Sequence, residues 1–165
     1  MSENKQKSMD SLLQILKDSL IRKLEVLIAI EKKSKEQAEL LTDSEVSMET
    51  LDRNMDEKAE LIKEISKLDS GFETLYESIR EELIRNKDAY KEEIWEIQQC
   101  VSEIMDVSVS IEAIEARNKA SVDLLFRNRK KALQHRKNAS GVARHYQKTY
   151  KNLNEISPQF VDSKK

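Results

Sequence analysis

Two glycines, Gly71 and Gly141, and one proline, Pro158, are all that a chain of 165 residues offers for sharp changes of direction. A sheet of many short strands needs frequent tight turns, and tight turns draw on Gly and Pro. Two glycines cannot punctuate such a sheet. Charged residues make up 36% of the chain, and the composition matches sequences rich in Ala, Glu, Lys, Leu and Arg that form long helices and coiled coils. The expected fold class is all-α.

The spacing of apolar residues predicts three helices. The first runs from about Lys5 or Asp10 to Leu41, with Met9, Leu13, Leu16, Leu20, Leu24, Leu27, Ile28, Ile30, Ala38 and Leu41 on one face at steps of three and four. Thr42-Asp43-Ser44-Glu45 stops it, and Thr42 or Asp43 is the expected cap of the next helix. The second covers roughly Val46 to Arg85 on a stripe from Leu51 through Ile62, Ile65, Phe72 and Ile79 to Leu83. The stripe keeps its phase across Asp69-Ser70-Gly71, so the helix is expected to continue there with a soft point. Asn86-Lys87-Asp88 is the next reversal.

The third helix carries a heptad repeat: Ile94, Ile97, Val101, Ile104, Ser108, Ile111, Glu115, Asn118, Val122, Leu125, Arg129 and Ala132. Ser108, Glu115 and Asn118 are polar positions on this seam, the kind that fixes helix register. Short connections then predict an elongated antiparallel bundle of three long helices over residues 1–137. A C-terminal arm over residues 138–165, helical or disordered, would follow. Its weaker stripe is Ala139, Val142, Ala143, Tyr146, Tyr150, Leu153 and Ile156.

Charge is segregated along the chain. Residues 1–123 hold 18 basic and 29 acidic side chains, whereas Leu124 to Asn154 holds nine Lys and Arg and no acid. A basic amphipathic end on an acidic body has three explanations: it folds back on the acidic helices, it binds a partner helix, or it binds phosphate. The acidic remainder repels nucleic acid, and no fold-specific nucleic-acid motif accompanies the patch. A protein-binding arm is the favoured reading.

Catalytic motifs are missing from the sequence. It has no phosphate-cradling Gly loop and no Cys-x-x-Cys or His-Glu-x-x-His spacing. His135 and His145 are ten residues apart and do not share a helix face. Acidic neighbours such as Glu57 with Glu60 or Glu92 with Glu93 lie among Lys and Arg, where helix-surface pairing is ordinary. Cys100 is the single cysteine, which rules out an intrachain disulfide and reads as a small residue near a seam. No catalytic, cofactor-binding or metal-binding residue is expected. With no run of 18 apolar residues and no apolar stretch near Met1, the expectation is a cytoplasmic protein without membrane insertion.

Several segments carry a resemblance. Asp56-Glu57-Lys58-Ala59-Glu60-Leu61-Ile62, Leu68-Asp69-Ser70-Gly71-Phe72 and Leu75-Tyr76 resemble FlgN-type flagellar export chaperones of the clostridial kind. So do Asn86-Lys87-Asp88-Ala89-Tyr90-Lys91-Glu92-Glu93-Ile94, the stretch from Ile111 to Lys119, and the closing Ile156-Ser157-Pro158-Gln159-Phe160. The resemblance spans roughly residues 10 to 160. It implies a cytoplasmic chaperone that binds hook-associated (hook–filament junction) proteins, prevents their premature assembly and passes them to a component of the flagellar export gate. It also implies that binding falls at the end of the third helix and in the arm, on Leu133, Val142, Ala143, Tyr146, Tyr150 and Leu153, with Tyr146 as the gate contact. A homodimer through the exposed end of the third helix is also open. So are two rival functions: a FliT-type chaperone of the filament cap, or a structural coiled-coil interaction protein.

Overall fold

The computed structural model describes residues 2–136, and within them the chain is all-α. Three helices follow one another: α1 (Ser2–Leu40, 39 residues), α2 (Met48–Arg85, 38 residues) and α3 (Lys91–Gln134, 44 residues). The helix α1 begins earlier than the apolar stripe, because nothing between Ser2 and Asp10 breaks a helix even though that turn buries little.

The first turn is built differently from expectation. Thr42 closes α1 instead of opening α2, its hydroxyl donating to the Glu39 carbonyl at 2.6 Å. The Asp43 carboxylate accepts the Glu45 backbone N–H at 2.9 Å, a local Asx bond that turns the chain. Ser47 is the cap of α2, accepting the Thr50 N–H at 3.1 Å on its hydroxyl. At the second turn, Asn86 donates back to Glu82 at 2.7 Å, and α3 starts after Tyr90, whose carbonyl accepts the Ile94 N–H at 2.9 Å.

The helix α2 runs unbroken through Gly71. A Cβ built there meets nothing within 4 Å, and the backbone has no positive φ. Gly71→Ala is therefore expected to stabilise the protein by about 0.5–1 kcal/mol, by restricting the unfolded chain and improving helix propensity. Urea unfolding followed by circular dichroism measures it; a loss of stability would mean that the soft point is required by the fold.

Each helix divides its length between two compact units, which among the described residues comprise residues 2–28 with 63–108 and residues 29–62 with 109–136. In the first unit, Met9, Leu13 and Leu16 of α1 pack with Ile79 and Leu83 of α2 and with Tyr90. Further along α1, Arg22 pairs with Glu64 at 2.7 Å and Lys23 with Asp69 at 2.5 Å, both earlier in α2 than Ile79 and Leu83, so α2 descends as α1 rises. Lys17 pairs with Glu96 of α3. Burial pushes the Tyr90 phenol above its ordinary pKa.

The second unit closes around Val46, Met48, Leu51 and Leu125, with Leu40, Leu41 and Phe126 packed against them. Ile30 and Ile111 are fully buried. Ser110 hydrogen-bonds Glu31 and, together with Lys35, holds that carboxyl below its ordinary pKa. Ser34, three residues after Glu31, meets Glu115, five residues after Ser110, so α1 and α3 run in the same direction here. The up-down-up order expected from short connections holds within each unit.

Two stripe assignments need correction. In α1, Ile28 is 51% exposed and Leu24 only half-buried, whereas Val26 is buried. The buried line continues from Leu27 and Ile30 through Ser34 and Gln37, while Ala38 is half-buried. In α3, Ile104, Ile111, Asn118 and Leu125 form a buried line of pure seven-residue steps. The alternate line is shallower, with Val122 buried but Val101 exposed and Ser108, Glu115 and Arg129 half-buried, and Ile114 beside it is buried as well.

Candidate partner-binding surface

Three surroundings in the described residues hold groups that could do more than fill a core. The first is a polar layer in the second unit. Lys58 of α2 is 3% exposed at its side chain, and its ammonium donates at 2.7 Å to Gln37 Oε1 of α1 and at 2.7 Å to Glu115 Oε1 of α3. The same Glu115 oxygen accepts the Ser34 hydroxyl at 2.6 Å. Asn118 donates to the Ser34 carbonyl at 2.9 Å and to Gln37 Oε1 at 3.1 Å. Asn54 donates to the Lys33 carbonyl at 3.0 Å, while its buried side-chain oxygen has no hydrogen-bond partner.

Lys58 is thus a buried charge held by one carboxylate and one amide, the arrangement in which such a charge survives desolvation. The layer ties all three helices together. Periodicity marked Glu115 and Asn118 on the seam, but nothing in the local sequence distinguishes Lys58 from the solvated lysines around it.

The second surrounding is the start of the basic segment. Arg129 caps the turn between α1 and α2, donating to the carbonyls of Ser44 at 3.0 Å and Val46 at 2.5 Å. One member of the basic run is therefore used to close the fold. Lys130, Lys131, His135 and Arg136 are exposed beyond it. Leu133, the first residue of the expected binding set, is half-buried near the end of α3. Val142, Ala143, Tyr146, Tyr150 and Leu153 lie outside the described residues, as does the expected arm over residues 138–165.

Among the described residues no group of three or more His, Cys, Asp or Glu side chains is placed to hold a metal ion. Burial and the nearby Glu103 carboxylate push the Cys100 thiol up, away from the thiolate that a nucleophile needs. No described helix is long and apolar enough to cross a membrane. No family model, curated protein or solved structure significantly matches the chain.

The third surrounding is a groove in the first unit, between the end of α2 and the start of α3. It encloses about 1100 Å³ and is lined by Leu16, Tyr76, Leu83, Ile84, Ile94 and Trp95, with Lys87, Asp88, Lys91 and Glu92 on its polar side. Trp95 is 61% exposed and Ile84 54%, and Met105 lies further along α3 with a similarly open side chain. Tyr76 stacks on Phe72, their ring centroids 6.0 Å apart. Single exposed apolar residues are ordinary, but a groove with an open tryptophan on its wall is the surface pattern of protein recognition. The heptad reading passed over it because Trp95 falls between two seam positions, Ile94 and Ile97.

Proposed function

We propose that this protein is a cytoplasmic export chaperone of the FlgN type, which binds hook–filament junction proteins, keeps them from assembling early and delivers them to the flagellar export gate. The observation that carries the reading is the combination of the quoted sequence resemblance with an all-α chain whose third helix leads into a basic amphipathic end. Such an end supplies a temporary partner helix: apolar anchors at three- and four-residue steps give affinity, and flanking Lys and Arg speed encounter with acidic segments. Release has to remain easy, and a narrow contact serves that better than a large rigid one.

The reading makes Leu133, Val142, Ala143, Tyr146, Tyr150 and Leu153 the client surface, with Tyr146 the contact for the gate component. It assigns no catalytic step to the protein. The direct functional test is self-association of a purified junction protein, followed by light scattering with and without the chain at equal concentration. Suppression at one-to-one stoichiometry is the expected result. Unchanged association would remove the chaperone reading and favour a structural coiled-coil protein, whereas suppression of filament-cap association alone would point to the FliT type.

A further inference from the structure

We propose that the groove between α2 and α3 in the first unit is the interface of a homodimer, in which each copy places Trp95 in the groove of the other. This inference does not rest on the chaperone reading. A projecting side chain and the cavity that could receive it lie on the same patch: Trp95 stands 61% exposed on the wall of a groove floored by Leu16 and walled by Tyr76, Leu83 and Ile84. A surface that carries both knob and hole is complementary to itself, which is the requirement for a twofold, isologous contact.

The polar rim supports the same occupant. Lys87, Asp88, Lys91 and Glu92 are two cations and two carboxylates within six residues, with a formal sum of zero. A strongly acidic or basic partner gains nothing from such a rim. A twofold axis through it can set the lysines of one copy against the carboxylates of the other, which gives register and excludes partners of one sign. Glu96, also on the lining, is already engaged by Lys17 and adds no free charge to the rim.

Trp95 is the only tryptophan in the chain, so its fluorescence reports directly on this surface. The experiment is a dilution series of the full-length protein, followed by sedimentation velocity and by tryptophan emission. A dimer is expected, and its dissociation on dilution should coincide with a red shift of the emission as the indole meets water. Trp95→Glu is expected to weaken the dimer by about 30-fold or more, the loss typical of a tryptophan hot spot. Ile84→Glu is a second variant on the opposite wall and should do the same. Both side chains are mostly exposed, so helicity by circular dichroism should match the parent and separate lost association from lost folding.

A monomer at every concentration would overturn the proposal, as would a dimer that survives both substitutions. A monomer whose emission shifts only on adding a junction-protein segment would also overturn it and give the groove to a client.

Discussion

Glu115→Leu is expected to lower the unfolding free energy by about 3 kcal/mol, the low end of the cost of removing one partner from a buried ion pair. Lys58 is 3% exposed at its side chain, and its other hydrogen bond goes to the neutral Gln37 amide, so the substitution strands a buried ammonium. Ser34 loses its acceptor in the same step. Glu115 is itself 20% exposed, which lets water reach part of the site and keeps the cost from rising further. The companion variant is Lys58→Met with Glu115→Leu, which removes both charges and keeps the stem of the lysine. It is expected to lie within about 1 kcal/mol of the parent, because an apolar replacement escapes the desolvation that the ion pair has to offset. Urea unfolding of the two single variants and the double variant gives the coupling directly. A Glu115→Leu protein as stable as the parent would mean that the layer does not hold Lys58 as a closed network.

Ile30→Ala is expected to cost about 3–4 kcal/mol, while Ile28→Ala two positions earlier changes stability by less than about 0.5 kcal/mol. The chemistry of the two substitutions is the same and only the face of α1 differs, Ile30 being 0% exposed and Ile28 51%. Deleting the Ile30 side chain leaves a cavity among atoms that cannot all close in, whereas Ile28 loses little more than contact with water. Equal midpoints for the two variants in urea would show that the helix is rotated from the phase described here.

That pair also marks where the sequence stopped being a sufficient guide. The all-α class, the three helices and the continuity of α2 through Gly71 were legible, since they follow from the scarcity of breakers and from stripes many turns long. The phase of α1 beyond Leu24 was not. Apolarity points to Ile28 and Ala38, but the buried line passes through Ser34 and Gln37, whose polar side chains are welcome inside because Lys58, Glu115 and Asn118 arrive from other helices to satisfy them. Such partners are 21 to 84 positions away in sequence, and their meeting depends on the register of three helices at once. In α3 the heptad gave the right line for Ile104, Ile111, Asn118 and Leu125 and the wrong depth for Val101. The groove at Trp95 was invisible for a similar reason: it exists only where the end of α2 and the start of α3 leave space between them. Of the proposed client surface, the structure describes only Leu133, which is half-buried.

The central claim, that the chain holds junction proteins through its basic amphipathic end, is tested most directly by calorimetry of the full-length protein against the terminal helical segments of those proteins. A parallel titration uses the full-length chain carrying Tyr146→Ala and Tyr150→Ala. One-to-one binding by the parent, weakened at least about tenfold by the paired substitutions, is the predicted result. Absence of binding by the parent, with its helical content intact, would contradict the claim.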